Sequence, residues 1–216
     1  MRIDFQKPFS APPGAREILL VRHGAVDPPG PDGLIAGRSD PDLNVQGFEQ
    51  TDALVGRLDR EPVAAVVATP LRRSLQTAEP IAAGHGLVPA IVPDLSEIYL
   101  GEWEGHGIHD RGSRGDPEFQ RVMREQRWDL IPGAEGGDEF AARVDAGLEA
   151  AAELATDGRV VVVVVHGAVI AEICRRVTGS TPFAFLGSAN GSISRVVRMP
   201  DLRWMLVSFN ETEHLT

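Results

Sequence analysis

The sequence predicts an α/β fold built on a buried, mostly parallel central sheet. Ile18 to Val21 and Val160 to Val165 are uninterrupted apolar runs, which is the pattern of strands buried on both faces. The two runs end alike, at Arg22-His23-Gly24 and at His166-Gly167. Because the carboxyl ends of parallel strands meet at one sheet edge, both histidines are expected in one crevice there. A buried structural histidine is the alternative for either one alone, but matching positions favour a shared site.

The bulk composition favours a single globular domain. The chain has 216 residues, 43% of them hydrophobic and 24% charged, and no repeat, low-complexity tract or linker divides it. We predict a flexible N-terminal arm over residues 1–15 and one domain over residues 16–216. No apolar run approaches the roughly 20 residues of a membrane span, and the N-terminus lacks a secretory pattern. We therefore predict a cytoplasmic protein without membrane contact.

The charge balance limits the expected partners. A net charge of −10 disfavours nucleic acids and anionic membranes, since both require a basic surface. It is compatible with a small anionic substrate held by a local group of arginines and histidines. The one cysteine, Cys174, excludes an intrachain disulfide and is expected to be a small buried side chain. The sequence leaves the oligomeric state open, a homodimer included.

Four further strands are predicted from short apolar or alternating runs bounded by turn residues. They cover Val63–Ala68, Val88–Val92, Ser192–Met199 and Arg203–Phe209. The last two alternate well enough to form an antiparallel pair at the sheet edge. The polar tail from Asn210 is expected to fray.

Helix start signals place five helices between these strands. The predicted spans are 44 to about 60, from 69 onward, 116 to about 128, after 138 to about 155, and 168 to 177. Asn44, Thr69 and Asp116 are N-cap residue types, and the last two precede a proline that suits the first helical position. In the fourth helix the apolar residues recur at helical spacing and should face the sheet: Phe140, Val144, Leu148 and Ala151.

Two arginines, Arg72 and Arg73, fall in the first turn of the helix after Thr69. Positive charge there opposes the helix dipole and therefore requires a reason. A bound phosphate would provide one, because backbone N–H groups and a guanidinium would face the same anion. The alternative is that both arginines point to solvent. Since successive helical positions diverge by about 100°, one arginine should point inward and the other outward.

The segment Leu95 to Gly105 combines three glutamates with bulky apolar residues. Such a mixture can hold a carboxyl group in a partly dry setting and raise its pKa, which suits a general acid. The local sequence does not decide among Glu97, Glu102 and Glu104.

The predicted crevice suits a phosphoryl group. A neutral imidazole is a competent nucleophile or base near neutral pH, and two guanidiniums with a second imidazole would surround a doubly negative guest. Metal-dependent hydrolysis is the competing interpretation, but arginines are unfavourable neighbours for a dication. His106 and His109 form an H-x-x-H pair without zinc-ligand spacing around it, and we expect both to face solvent. We therefore predict no metal and no cofactor.

Four motifs, in order, resemble the histidine phosphatase superfamily, the clan of cofactor-dependent phosphoglycerate mutases and histidine acid phosphatases. They are Leu20-Val21-Arg22-His23-Gly24, the Thr-Pro-Leu-x-Arg-Ser-x-Gln-Thr-Ala run ending at Ala78, Leu95-Ser96-Glu97 with its Gly-x-Trp-Glu-Gly sequel, and Val165-His166-Gly167. The resemblance covers about Glu17 to Gly179. It implies a phosphoglycerate mutase-like three-layer α/β/α sandwich with a mostly parallel central sheet.

The resemblance also implies the role of each matching residue. His23 would be the nucleophile that becomes a phosphohistidine, with Arg22 and Arg73, rather than Arg72, clamping the phosphate. His166 would contact the transferring oxygens and be at least partly cationic, and Gly167 would adjoin the phosphate.

The resemblance assigns the proton donor as well. Glu97 falls on the position of the family's acid, which leaves Glu102 and Glu104 as surface or structural residues.

The chain departs from the family pattern in the loop after His23. Ala25 stands where relatives carry an acidic or amide residue, and Ala36 stands where many have a glutamine. Some side-chain hydrogen bonds to the phosphoryl group are therefore expected to be missing or to be replaced by Arg38 or Ser39.

A phosphomonoesterase acting on a small phosphorylated metabolite is the function that these residues predict best. A cofactor-dependent phosphoglycerate mutase is the first alternative, although the compact segment between Glu97 and His166 resembles the phosphatase branch. A phosphate-binding regulatory module with little turnover is the second, supported by the missing loop polar groups.

Overall fold

Six strands form one sheet in the computed structural model, which describes residues 9–27, 37–105, 108–156 and 158–216, without the side chains of 108–110. They are β1 (Arg16–Arg22), β2 (Val63–Ala68), β3 (Ala90–Ile91), β4 (Val160–Val165), β5 (Ile193–Arg198) and β6 (Trp204–Glu211). Their order across the sheet is β3-β2-β4-β1-β5-β6. The pairs among β1 to β4 are parallel, whereas β5 pairs antiparallel with both β1 and β6. The predicted mostly parallel sheet with an antiparallel edge is confirmed.

Helices cover both faces of this sheet. They are α1 (Val45–Leu58), α2 (Arg72–Gly84), α3 (Ile108–Ser113), α4 (Pro117–Glu125), α5 (Gly137–Glu153) and α6 (Gly167–Thr178). Alternate residues of β1 enter two separate hydrophobic clusters: Ile18 and Leu20 pack with α5 and α6, and Leu19 and Val21 pack with α1 and α2. Since side chains alternate between the faces of a strand, β1 lies between two helical layers. The three-layer α/β/α sandwich is confirmed.

The central pair of strands sets the position of the histidines. β1 and β4 are in register from Glu17 opposite Val160 to Arg22 opposite Val165. The backbone N–H of His23 donates to the carbonyl of Val165 at 3.0 Å. The two strands therefore end side by side, and both histidines follow at the same level of the sheet.

Two of the three predicted helix caps are confirmed. The Asn44 side chain accepts a hydrogen bond from Gly47 N, and Asp116 accepts from Glu118 N and Phe119 N. Thr69 is the exception, because α2 begins at Arg72 and its N-cap residue is Leu71. The Thr69 hydroxyl lies 2.9 Å from His166 Nε2 and 3.4 Å from Leu71 N. Its principal partner is therefore the second histidine rather than the helix start.

Two predicted elements are longer than those observed. The strand predicted over 88–92 is reduced to Ala90–Ile91 at the sheet edge, where it pairs with β2 alone. The helix from Asp116 ends at Glu125 rather than near Trp128, because Gln126 adopts a left-handed conformation with φ 54°.

The C-terminal tail is ordered, and the prediction that it frays from Asn210 is wrong. β6 extends to Glu211, and a short 3₁₀ helix follows over Glu213–Leu215. His214 Nε2 lies 2.9 Å from the carbonyl oxygen of Gly191. The tail thereby joins the loop that precedes β5.

The single cysteine is a buried side chain, as predicted. Cys174 is buried on α6, and desolvation raises its thiol pKa to about 12. Within the described residues, no helix is both long and apolar enough to cross a membrane. The side chains of His106 and His109 and residues 1–8 of the expected N-terminal arm lie outside the described part.

Candidate active site

The two histidines face each other at the carboxyl ends of β1 and β4. The ring centroids of His23 and His166 are 5.2 Å apart, and the ring planes are inclined by 57°. Both side chains are buried, His23 at 5% exposure and His166 at 0%. The structure therefore brings the two imidazoles together, as the strand ends predict, although of the two His23 alone is among the residues that line the cleft described below.

The hydrogen bonds of His23 fix its tautomer. Its Nδ1 lies 2.7 Å from the carbonyl oxygen of Gly24, and because a carbonyl only accepts, Nδ1 carries the proton. Nε2 is then the unprotonated nitrogen, and it accepts from Arg73 Nε at 3.2 Å. Burial, together with the charges of Arg73 and Arg22, holds the pKa of His23 well below 6.5. His23 is therefore a neutral imidazole with a lone pair on Nε2.

A close backbone crossing holds His23 in place. A Cβ on Gly24 would lie 2.4 Å from the carbonyl oxygen of Gly47, so the start of α1 packs directly on the chain after His23. The Thr77 hydroxyl accepts from Gly24 N at 3.1 Å, and the Asn190 amide donates to the carbonyl of His23 at 2.9 Å. Sequence reasoning did not assign Thr77 or Asn190 to this role, because each lies more than 50 positions from His23.

Arg73 is the arginine of α2 that points inward. It is 1% exposed, and besides its bond to His23 it donates from Nη1 to Ser39 O at 2.5 Å and from Nη2 to Gly37 O at 2.8 Å. Arg72 is exposed and pairs with Asp42 at 2.6 Å. The predicted inward and outward arrangement of the two arginines is confirmed.

Two buried nitrogens beside the histidines have no hydrogen-bond partner among the described residues: Arg22 Nε and His166 Nδ1. Arg22 also donates from Nη1 to the carbonyl of Ser188. Its guanidinium passes over Gly167, where a Cβ would lie 3.6 Å from Cζ. Arg22 Nε always carries a proton. Because a buried donor without a partner costs free energy, it favours an anionic ligand, which would also meet the start of α6.

The protonation of His166 differs from what the resemblance implies. Burial and the positive charges of Arg73 and Arg22 hold its pKa well below 6.5. The protein's own groups therefore favour the neutral form of His166. This differs from the partly cationic imidazole that the resemblance implies. A bound dianion would act in the opposite direction, because it favours the charged form.

Glu97 is the glutamate that adjoins the histidines. Its Oε1 accepts from Ile98 N at 2.9 Å, and its Oε2 accepts from Ala168 N, at the start of α6, at 3.1 Å. Burial raises the pKa of this carboxyl, and the two backbone donors and the nearby charges of Arg73 and Arg22 offset only part of the rise. An uncharged Glu97 carboxyl would donate a proton close to Arg22 and Arg73.

Glu104 and Glu102, the other two glutamates of this segment, do not share the contacts of Glu97. Glu104 accepts from the backbone N–H groups of Arg38, Ser39 and Leu100 at 2.8 to 3.0 Å, so it holds the loop whose carbonyls receive Arg73. Glu102 is exposed.

An arginine and a glutamate behind Glu97 hold its main chain. Arg143 pairs with Glu135 through two hydrogen bonds, Nε–Oε1 at 2.5 Å and Nη2–Oε2 at 2.8 Å. The same guanidinium donates to the carbonyls of Asp94, Ser96 and Glu97 at 2.6 to 3.1 Å. This arrangement fixes the peptide from which the Glu97 side chain projects.

Arg38 belongs to this supporting group in the structure. Its Nε donates to the carbonyl of Glu97 at 3.2 Å, and its Nη2 lies 3.4 Å from Glu135 Oε2. The sequence-based assignment of Arg38 to the phosphate therefore differs from its contacts, since the guanidinium faces the back of Glu97. Ser39 contributes its carbonyl to Arg73, and Ala36 lies outside the described residues.

A cleft of about 470 Å³ opens from this group of residues. Its polar end is formed by Arg22, His23, Arg73, Glu97 and Asn190, and Gly37, Gly167 and Ala25 adjoin them. The described residues contain no group of three His, Cys, Asp or Glu that could hold a metal ion. The geometry therefore offers a nucleophile, two cations and an acid around one point.

Comparison with known proteins agrees with this geometry. A family model described as the histidine phosphatase superfamily (branch 1) matches residues 18–212. The chain belongs to this superfamily. It is 34% identical over 206 residues to a metal-independent phosphoserine phosphatase of Arabidopsis thaliana, covering 93% of this chain and 83% of the relative. It is 29% identical over 200 residues to phosphoserine phosphatase 1 of Hydrogenobacter thermophilus, covering 92% and 94%.

A solved structure gives the same classification. Mycobacterial glucosyl-3-phosphoglycerate phosphatase in complex with inorganic phosphate superposes with a TM-score of 0.75 at 26% identity, covering 93% of this chain and all of that chain. The protein is thus an enzyme of the histidine phosphatase superfamily with a phosphoglycerate mutase-like fold.

The Arg143 contacts lead to a testable expectation for this histidine phosphatase. Replacing Arg143 with lysine should lower kcat on alkyl phosphates about tenfold with little change in KM, because an ammonium cannot bridge Glu135 and three carbonyls at once. The loss should be small on 4-nitrophenyl phosphate, whose leaving group needs little acid assistance. Steady-state kinetics on both esters make the measurement.

Arg198→Lys is the matched control for this change. Arg198 is equally buried and pairs with Glu149 and Glu153 of α5, away from the cleft, so its replacement should leave both activities unchanged. Equal losses on the two esters in Arg143→Lys would contradict a role in positioning Glu97.

Proposed function

We propose that the protein is a phosphomonoesterase that hydrolyses a small phosphorylated metabolite through a phosphohistidine on His23. The observation that carries the proposal is the neutral imidazole of His23, whose Nε2 lone pair lies beside Arg73 at the polar end of the cleft. A buried carboxyl with a raised pKa, Glu97, lines the same cleft. These are the two groups that covalent phosphoryl transfer requires.

In the first step Nε2 of His23 attacks phosphorus, an N–P bond forms, and the bond from phosphorus to the ester oxygen breaks. Negative charge on the equatorial oxygens meets Arg22, Arg73 and His166, together with the N–H group of Gly167 at the start of α6. The following N–H, that of Ala168, is already donated to Glu97. The carbonyls of Gly37 and Ser39 hold the Arg73 guanidinium in place. The Nε–H of Arg73 must release Nε2 of His23 before that nitrogen attacks.

Glu97 handles the proton in both steps. In the first it delivers a proton to the departing alcohol oxygen, and the alcohol leaves neutral. In the second, the resulting carboxylate removes a proton from water as that water attacks the phosphohistidine. The N–P bond then breaks, inorganic phosphate forms, and His23 and Glu97 return to their initial states. Acid–base assistance of this kind is worth about 10² to 10⁴ in rate.

The mechanism uses only residues of this chain, a phosphate ester and water. Arg38, Glu135 and Arg143 act through Glu97, because their contacts are with its carbonyl and with each other. No step needs a metal ion or an organic cofactor.

Release of inorganic phosphate from a panel of phosphorylated metabolites tests the function. The panel includes phosphoserine and glucosyl-3-phosphoglycerate, the substrates that the names of similar proteins mention. We expect continuous phosphate release from at least one ester without added cofactor. A stable phosphoenzyme that turns over only with 2,3-bisphosphoglycerate would instead indicate a mutase. Phosphate or vanadate binding without hydrolysis of any ester would indicate a binding module.

The pKa directions predict an acid-favoured reaction. The raised pKa of Glu97 keeps its proton available above the ordinary carboxyl range, and this acid form is lost as the pH rises through that pKa. The lowered pKa of His23 keeps the nucleophile neutral below pH 6.5. The ratio of wild-type to Glu97→Gln kcat/KM on an alkyl phosphate should therefore fall as the pH rises.

The ratio cancels the ionisation of the substrate, because both enzymes receive the same ester at each pH. A pH-independent ratio between pH 4.5 and 8 would count against Glu97 as the titrating acid.

A further inference from the structure

We propose that the cleft selects phosphate esters whose alcohol portion is apolar and uncharged. The proposal rests on the phosphatase function above and concerns the part of the substrate that leaves. It follows from a separation within the cleft: the charged side chains surround the phosphoryl position, and the remaining wall consists of hydrocarbon.

The apolar side chains of the wall come from four segments of the chain. Phe119 and Met123, one turn apart, lie on the same face of α4, and Trp128 follows this helix. The remaining side chains of the wall are Val26, Ile98, Leu100 and Leu186. Met123 is 39% exposed, so part of this hydrocarbon is available for contact.

Aromatic contacts hold the wall in position. The ring of Phe119 stacks on Trp103 with the centroids 6.3 Å apart, and Trp128 packs on Phe183 at 4.4 Å. Val122, between Phe119 and Met123, is buried in the core and anchors the helix. A wall fixed in this way is already shaped for an apolar group, which lowers the cost of binding one.

Cations are confined to the phosphoryl end of the cleft. Of its described lining residues, Arg22 and Arg73 alone carry a permanent positive charge. The arginines close to the apolar wall in the chain have carboxylate partners. Arg111 pairs with Asp116 and stacks over Trp103, Arg121 and Arg124 pair with Glu125, and Arg127 pairs with Asp129.

The sequence of the undescribed positions adds few cations. Residues 28–36 contain no lysine, arginine or histidine. The basic residues whose side chains are not described are Arg2, Lys7, His106 and His109.

Two consequences follow for the alcohol portion. A carboxylate placed against the hydrocarbon wall loses hydration without gaining a cation, which is unfavourable. Each methylene that leaves water for the wall is favourable and should strengthen binding about fourfold. Esters such as phosphoserine and 3-phosphoglycerate are therefore expected to be poor ligands compared with alkyl or arylalkyl phosphates.

Binding of non-hydrolysable phosphonates tests this directly. Dissociation constants of methyl-, ethyl-, propyl-, butyl- and hexylphosphonate, and of 2-carboxyethyl- and 3-carboxypropylphosphonate, would be measured by calorimetry on the full chain. We expect affinity to rise about fourfold per methylene over the first few carbons. Each carboxylated ligand should bind about tenfold or more weakly than the alkyl ligand of equal length.

A variant with a positive charge in the apolar wall provides a second test of the proposal. Met123→Arg should tighten 2-carboxyethylphosphonate about threefold, the size of an exposed ion pair, and weaken hexylphosphonate. Val88→Arg is the control, because Val88 is 86% exposed and is not among the residues of the cleft. It should change neither constant.

Affinity that is flat with chain length, or that favours the carboxylated ligands, would overturn the proposal. Because binding is measured without turnover, this result is separate from the fate of the phosphatase function. An enzyme that binds hexylphosphonate tightly but hydrolyses no ester would overturn the function and leave the selectivity standing. An enzyme that hydrolyses phosphoserine faster than hexyl phosphate would overturn the proposed selectivity and leave the phosphatase function standing.

Discussion

Replacing His23 with alanine is expected to abolish phosphate release from every ester. The imidazole supplies the attacking Nε2, and the other histidine of the site, His166, is fully buried and is not among the residues that line the cleft. The loss should be at least about 10⁴-fold, the order seen when a covalent nucleophile is removed from an enzyme that retains its charge-stabilising groups. Phosphate release at micromolar enzyme concentration gives the measurement.

A second variant separates chemistry from folding. His23→Asn keeps a polar group near the position of Nδ1 but has no nucleophilic nitrogen, so it should be as inactive as the alanine variant. Both variants should bind vanadate or phosphate measurably, because Arg22, Arg73 and the start of α6 remain. Substantial hydrolysis by either folded variant would contradict covalent transfer through His23.

Replacing Glu97 with glutamine is expected to separate esters by leaving group. The amide cannot donate a proton to an alkoxide, so kcat on alkyl phosphates should fall about 10² to 10⁴-fold. 4-Nitrophenyl phosphate should lose far less, because nitrophenolate leaves without protonation. Kinetics on the two esters side by side provide the test.

Glu102→Gln is the matched control, because Glu102 is an exposed carboxylate in the same segment and its replacement should leave both rates unchanged. A Glu97→Gln enzyme that loses equal activity on both esters would remove Glu97 from the role of acid.

The layout of the fold could be predicted because it depends on short-range patterns. The run Val160 to Val165 specifies a strand buried on both faces, and Asn44 and Asp116 specify the starts of α1 and α4. The ends of elements were harder to predict. α4 stops at Gln126 through a left-handed backbone conformation, and a glutamine carries no local signal for that conformation.

The C-terminal tail shows the limit of composition as a guide. Residues from Asn210 are polar, which is typical of a frayed end. Tertiary contacts decide otherwise: His214 reaches Gly191, and Asn210 N donates to the Ser194 hydroxyl at 3.0 Å. Such contacts join elements that a local window of sequence does not contain.

Some residues of the candidate site could likewise be predicted from local sequence, whereas others could not. His23 and His166 could be located because each ends a recognisable strand, and the resemblance to the family separated Glu97 from Glu102 and Glu104. The contacts of Arg38 could not be predicted, since its partners Glu97 and Glu135 lie 59 and 97 positions away. A guanidinium next to a predicted phosphate site can bind the phosphate or can hold a neighbouring protein group. The tertiary fold determines which of the two it does.

The protonation state of His166 could not be predicted from the sequence either, for a different reason. The resemblance implies an imidazole that is at least partly cationic, whereas burial and the charge of Arg73 lower the pKa of His166. Local sequence does not contain the depth of burial or the distance to other charges, which determine this pKa.

Rapid-quench trapping of the phosphoenzyme tests the central claim most directly. The enzyme is mixed with a ³²P-labelled ester, quenched in alkali within milliseconds and digested, and the labelled peptide is sequenced. We expect one label, stable in alkali and lost in acid, on the peptide that contains His23. Absence of a labelled peptide under multiple turnovers, or label on another residue, would contradict the account.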